Sequence, residues 1–268
     1  MSTRGADPGI AILTPRWPAP PGVRAAFTLR TGGASAGPYA TLNLSARVGD
    51  AADAVLENRR RVRARLQLPA EPPWLEQVHG VDVLELAAGA HPAAATASAP
   101  GSGPCADAVV ARHAGGICAV QVADCLPVLF AAAEARAVAA AHAGWRGLAA
   151  GVLEATVARL GIEPARLIAW LGPAIGMEHF EVGAEVRSAF VAHDGAAAAA
   201  FTANARGRWQ CDLLQLARRR LLRSGVSAVF GGSWCTYADP ARFFSYRRDG
   251  QCGRMAALVW LDGGQGAP

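Results

Sequence analysis

Gln121-Val122-Ala123-Asp124-Cys125-Leu126-Pro127-Val128-Leu129-Phe130 opens the stretch that decides the fold, and Ala141-His142-Ala143-Gly144-Trp145-Arg146-Gly147 closes it. Between them lies an alanine-rich run with one Glu and one Arg. Two apolar runs each end in a soft metal ligand or nucleophile, Cys125 and His142. Each sits beside a chain break, Pro127 or Gly144. Runs that are apolar without alternation predict strands covered on both faces. The neighbouring runs 106–110, 116–122, 127–131 and 137–141 share this character, so the stretch predicts a buried sheet.

Upstream, 23–30 reads as a strand and 31–38 as a long turn. A helix is expected over 53–66, with Val55, Val62 and Leu66 on one stripe and Asn58, Arg59, Arg61 and Arg65 off it. Residues 75–83 read as a strand interrupted at His79 and Gly80, where a glycine suggests a bend or close approach. Residues 87–104, rich in Ala, Ser, Gly and Pro, read as an exposed loop or lid. Downstream, a helix is expected over 148–160, a strand over 168–171, and a helix over 183–193. The alanine-rich 196–205 reads as a loop or helix extension. Asp212 caps a helix over 213–223, with Gly225 in its C′ position. Strands at 226–230 and 255–261 flank a polar-aromatic turn at 243–250. Helices and strands mix without a βαβ repeat, and no G-x-G-x-x-G or P-loop follows a strand. The expectation is one α+β domain over 10–262, with loose termini at 1–9 and 263–268.

A chain of 268 residues can bury a full core. Its 52% hydrophobic and 18% charged residues are globular values. The net charge of +5 rests on arginine alone, since the chain has no lysine. Guanidinium groups match phosphate and carboxylate. The charges are scattered apart from the triplets at 59–61 and 218–220, so nucleic-acid binding is not expected. None of the six cysteines forms a C-x-x-C pair, which disfavours a zinc ribbon or finger. With no signal peptide and no membrane-spanning run, a cytoplasmic protein with reduced thiols is expected.

His79, Cys125 and His142 together offer two imidazoles and one thiolate. Three protein ligands with an open fourth position is the catalytic zinc arrangement, and zinc lowers the pKa of a bound water to about 7. The same trio suits a copper site with a distant axial group such as Met177 or Met255. A Cys/His nucleophile pair is the third option, and spacing does not choose among them. Arg146, at the start of the next helix, is a candidate phosphate ligand. Asp107 and Asp124 are candidate general acid/base groups or partners that orient a ligand histidine. Tyr246, Arg247 and Arg248 form a polar cluster near the C-terminus.

Several motifs occur in a fixed order: Asn43-Leu44-Ser45 with Gly49-Asp50, Asn58-Arg59, Gln77-Val78-His79-Gly80, and Ala106-Asp107-Ala108. Asp124-Cys125-Leu126-Pro127, the His142 to Gly147 motif, Gly172-Pro173-Ala174-Ile175, Phe180-Glu181-Val182 and Phe244 to Gly250 follow. Over residues 25–260 the chain resembles the bacterial laccase-domain family. This family is also called multicopper polyphenol oxidoreductase, YfiH or peptidoglycan-editing factor. Cys252 departs from the pattern, where threonine is expected. The resemblance implies a layered α/β/β/α sandwich related to the cytotoxic-necrotizing-factor catalytic domain. It implies metal ligation by His79, Cys125 and His142, with zinc as the ion and copper as the alternative. It also implies zinc-dependent phosphorolysis of adenosine, inosine and methylthioadenosine, with adenosine deamination. Polyphenol oxidation and an amidase acting on peptidoglycan precursors are the alternative activities. On this reading Cys125, Asp124 and Arg146 are catalytic, and Asn43, Arg59, Gln77, Asp107, Tyr246 and Arg247 bind substrate. The partners are a nucleoside and phosphate, with a monomer expected. Six histidines without an H-x-H pattern argue against a cluster of several coppers.

Overall fold

In the computed structural model, residues 9–88 and 103–262 are described. The expected loop at 87–104 and the expected loose termini lie almost wholly outside them. The elements run β1 (Ile12–Leu13), β2 (Val23–Thr28), α1 (Ala52–Leu66), β3 (Val83–Glu85), β4 (Ala108–Ala111), β5 (Ile117–Val122), β6 (Leu126–Ala132) and β7 (Val138–Ala143). Then come α2 (Trp145–Ala150), α3 (Val152–Leu160), β8 (Leu167–Leu171), β9 (Glu181–Val182), α4 (Ala184–Val191), β10 (Phe201–Ala203) and β11 (Trp209–Cys211). The chain ends with α5 (Leu213–Arg223), β12 (Ala228–Gly231), α6 (Tyr246–Asp249) and β13 (Met255–Leu261).

Two sheets stack. One has the order β1-β2-β13-β5, the other β12-β8-β6-β7-β4-β3, and a small third sheet has β10-β11-β9. Side-chain parity sets the layers. Val109, Leu129, Ala131, Val138 and Ala140 of the six-stranded sheet face Cys118, Val120, Ala257 and Val259 of the four-stranded one. The alternate residues Val110, Val128, Phe130, Ala139 and Ala141 pack beneath Leu148, Leu153, Leu160, Val186 and Leu216 of the helices. The far face of the four-stranded sheet, with Ala119, Ala256 and Leu258, packs on Val62 of α1 and on Leu42 and Leu44. The order of layers is therefore helix, sheet, sheet, helices, as expected. Every residue of β6 and β7 is buried, which is why neither run alternates in sequence.

Four expectations need correction. Residues 75–83 do not form a strand; only Val83–Glu85 does, because the amides of residues 78–80 go to a carboxylate instead of a ladder. The helix expected over 148–160 is two helices, parted at Gly151, whose φ of +107° suits a residue without Cβ. Asn58 and Arg59 of α1 are buried, not solvent-facing. Asn58 donates to Ser35, Thr41 and Asn43, and Arg59 donates to the Leu44 carbonyl, so both are satisfied inside. The alanine-rich stretch forms a 3-10 helix at Gly195–Ala200 followed by β10. The Asp212 cap, by contrast, accepts from Gln215 N–H as expected.

Candidate metal centre

The three candidate ligands come from three separate segments. His79 lies in the loop before β3, with φ of +63°. Cys125 directly precedes β6, and His142 is the penultimate residue of β7, opposite Pro127 in the register. One ligand atom from each lies within 4.8 Å of the others. Cys125 Sγ is 3.6 Å from His79 Nε2, and the two imidazoles meet edge to face with centroids 4.8 Å apart.

Asp107 holds this arrangement together. Its carboxylate is fully buried and accepts from the backbone N–H groups of Val78, His79 and Gly80 at 3.1, 2.9 and 2.6 Å. It also lies 2.8 Å from His142 Nδ1. An ionised carboxylate only accepts, so Nδ1 carries a proton and Nε2 is the nitrogen turned toward an ion. The neighbouring glycine makes room: a Cβ on Gly144 would stand 2.7 Å from His79 Cδ2 and 3.0 Å from Cys125 Sγ.

Electrostatics match a cation site. Burial pushes the Cys125 thiol up, but the adjacent His142 and His79 outweigh this and bring it down to about 6. Burial likewise opposes charge on His142, but Cys125 and Asp107 outweigh it and raise it to about 9, so a metal binding here displaces the Nε2 proton. Burial also works against the charge on Asp107, yet the hydrogen bonds from His142 and Gly80 leave it below the usual carboxylate range. A thiolate at neutral pH is the ligating form. The donor set therefore fits a soft or borderline divalent metal such as zinc.

The other candidate residues are placed as follows. Asp124, with φ of +91°, accepts from Thr236 Oγ1 (2.6 Å), Ser245 Oγ (3.0 Å) and Arg247 N–H (2.7 Å). It thereby pins α6, with Tyr246 and Arg247, beside Cys125. Tyr246 is 61% exposed. Arg247 Nη1 donates to the Glu181 carbonyl at 2.9 Å. Arg146 is exposed at the start of α2 and stacks on Trp145. Gln77 and Gln121 exchange two 2.8 Å hydrogen bonds, which ties the His79 loop to the end of β5. Asn43 is buried and bonds to Ser45, Asp50 and Arg254. Arg59 stacks over Trp74. Asn43 and Arg59 thus belong to the core around α1, while Asp107, Asp124, Gln77 and the α6 pair gather around the cluster. Of the partners of Asp124, Ser245 lay within the Phe244 to Gly250 motif without an assigned role, and Thr236 carried no signal in sequence, because single hydroxyls in loops are common.

Residues 24–262 match the family described as multi-copper polyphenol oxidoreductase laccase. The chain belongs to this family. Among its relatives, the Escherichia coli protein named purine nucleoside phosphorylase YfiH is 50% identical over 250 residues, covering 93% of this chain and 98% of its own. A Pseudomonas aeruginosa purine nucleoside phosphorylase is 52% identical over 252 residues, covering 94% of this chain and 98% of its own. The fold is shared with a crystal structure of a Neisseria meningitidis protein (TM-score 0.86, 47% identity, 94% of this chain and 99% of that one). It is also shared with that of YfiH from Bacillus licheniformis (TM-score 0.83, 29% identity, 90% and 93% covered).

Proposed function

We propose that this protein is a zinc-dependent purine nucleoside phosphorylase acting on adenosine, inosine and methylthioadenosine, and that it also deaminates adenosine. The observation that carries the reading is one exposed guanidinium, Arg146, at the start of the helix that follows directly on a half-buried Cys/His/His cluster. The names of the relatives support the substrate class. In phosphorolysis an oxygen of phosphate bonds to the ribose C1′ as the C1′–N9 bond breaks. The purine leaves with the electron pair and takes up a proton, giving ribose 1-phosphate. Zinc, when bound, supplies Lewis acidity and an acidified water.

The chain's own residues do the rest. Arg146 holds the phosphate through a charge-assisted fork. Asp107 fixes the His142 tautomer, and Asp124 fixes α6, so these two carboxylates position other groups. Tyr246 and Arg247 then face substrate from α6, and Gln77 holds the His79 loop. Asn43 and Arg59 serve the framework.

Thiolate and imidazole also suit copper, and a copper phenol oxidase is the second reading. Among the described residues only one group of three such ligands gathers, whereas a multicopper enzyme needs several. An amidase with Cys125 as nucleophile would require that thiol to be free of metal. The test is chromatography of adenosine incubated with the zinc-loaded protein, with and without phosphate. Adenine should appear only with phosphate, and inosine in both cases. Adenosine left intact with zinc and phosphate present would overturn the proposal, and copper in place of zinc on elemental analysis would favour the oxidase.

A further inference from the structure

A second thiol and imidazole meet on the loop that follows β12. Cys235 Sγ lies 3.6 Å from His179 Nδ1, a hydrogen-bond distance for sulfur. Neither residue belongs to the three-ligand group of the metal centre. The backbone fixes both partners. Ala174 and Cys235 form a parallel bridge, and Thr236 N–H donates to the Ala174 carbonyl at 2.9 Å. His179 ends a single 3-10 turn, Met177–His179, and its N–H donates to the Gly176 carbonyl at 3.0 Å.

Further contacts build the pair into a site. Gly176 N–H donates to Cys235 Sγ at 3.2 Å. A Cβ on Gly176 would stand 3.1 Å from that sulfur, so the glycine lets an amide approach it, as Gly144 makes room beside Cys125. The His179 ring stacks on Tyr237, with centroids 4.3 Å and planes 21° apart, and Arg248 Nη1 holds the Tyr237 carbonyl at 2.8 Å. A nucleophile, a base within reach and a third group orienting the base make an activated side chain. Cys235 and His179 are only half-buried, so solvent reaches the pair. The other cysteines differ. Burial pushes the thiols of Cys118, Cys211 and Cys252 up, which makes them inert. Cys125 belongs to the metal centre, and Cys105 is exposed.

We propose that Cys235 is a thiol-exchange site, modified by small disulfides with His179 as its base. The Cys235 sulfur attacks one sulfur of the disulfide as His179 Nδ1 takes the thiol proton. A new S–S bond forms as the old one breaks. The departing sulfur leaves with the electron pair and receives the proton from the imidazolium. Cys235 is thereby oxidised to a mixed disulfide, and the other half of the reagent is released reduced, as a thiol. The Gly176 N–H steadies the charge that gathers on the attacking sulfur. The adduct stands one residue from Thr236, whose hydroxyl donates to Asp124.

The test is incubation of the full-length protein with oxidised glutathione near neutral pH, followed by mass spectrometry of its peptides without reductant. Cys235 should be modified at least about tenfold faster than Cys105, although Cys105 is the more exposed. His179→Phe keeps a ring to stack on Tyr237 but removes the base. It should slow modification of Cys235 about tenfold or more and leave Cys105 unchanged. Buried Cys118, Cys211 and Cys252 staying unmodified shows that the variant is folded. Cys105 and Cys235 both lie outside the metal ligands, and the adduct rather than activity is measured, so the result is independent of the catalytic reading. Equal or faster modification of Cys105, adduct at Cys125 alone, or no adduct at all would overturn the proposal. An unchanged rate at Cys235 in His179→Phe would overturn it as well, leaving the pair as a structural hydrogen bond.

Discussion

Asp107 accepts four hydrogen bonds while fully buried, three from consecutive amides and one from His142. Each does different work. The amides fold the His79 loop over the carboxylate, and the imidazole bond fixes the ring so that Nε2 is the nitrogen offered to the cluster. Asp107→Asn replaces one accepting oxygen with a donor, which faces either an amide N–H or the His142 N–H. Zinc affinity should fall about 10- to 100-fold, the usual cost of losing such an orienting partner, as read by competition with a chelating dye. The candidate ligands stood out in sequence because Cys and His beside Pro and Gly at the ends of apolar runs are unusual, and the structure brings them together. Asp107 was expected to bind substrate or to orient a ligand histidine; its carboxylate is taken up by amides 78–80 and His142, and no spacing tells that those amides lie on it. Asn43 and Arg59 were less legible still. A buried polar residue and a substrate-binding one look alike until their partners are known.

Helices α4 and α5 are joined at their ends by Asp194, which caps the 3-10 helix at Gly195–Ala200 and pairs with Arg219 and Arg223. The hydrogen bond from Arg219 leads the causes that hold its carboxyl down at about 2. A depressed carboxylate contributes stability above its unfolded pKa, near 4, and that stability is lost as pH falls through the folded value. Melting temperature should therefore drop between roughly pH 4 and 2, and Asp194→Asn should flatten that part of the curve in calorimetry. At this scale the sequence spoke clearly where a local rule acts alone, as at the Asp212 cap. It misled where a distant group took over the backbone, as in residues 75–83. The break at Gly151 has a local signal, a glycine, but a glycine within a helical pattern does not announce a left-handed turn.

The two sheets share one seam, and Leu129 of β6 lies within it with no exposure. Leu129→Ala should cost about 2–5 kcal/mol, since a cavity opens where both sheets are rigid. Urea unfolding should show an earlier midpoint with an unchanged slope. That the central sheet is covered on both faces followed from the apolar runs, whereas the helix–sheet–sheet–helix order came from the family resemblance. Strand order did not, because β13 inserts between β2 and β5 from the far end of the chain, and pairing over such distances leaves no mark in composition.

Parity along β7 adds one thing more. His142 shares its side of the strand with Val138 and Ala140, which face the seam, while its neighbours Ala141 and Ala143 face the helices. A slip of one residue between β6 and β7 would send the imidazole to the wrong layer. An ion held by this cluster would therefore certify correct strand pairing. Where a zinc finger needs its ion in order to fold, here the chain must first be threaded correctly, and a misthreaded copy would declare itself by arriving empty.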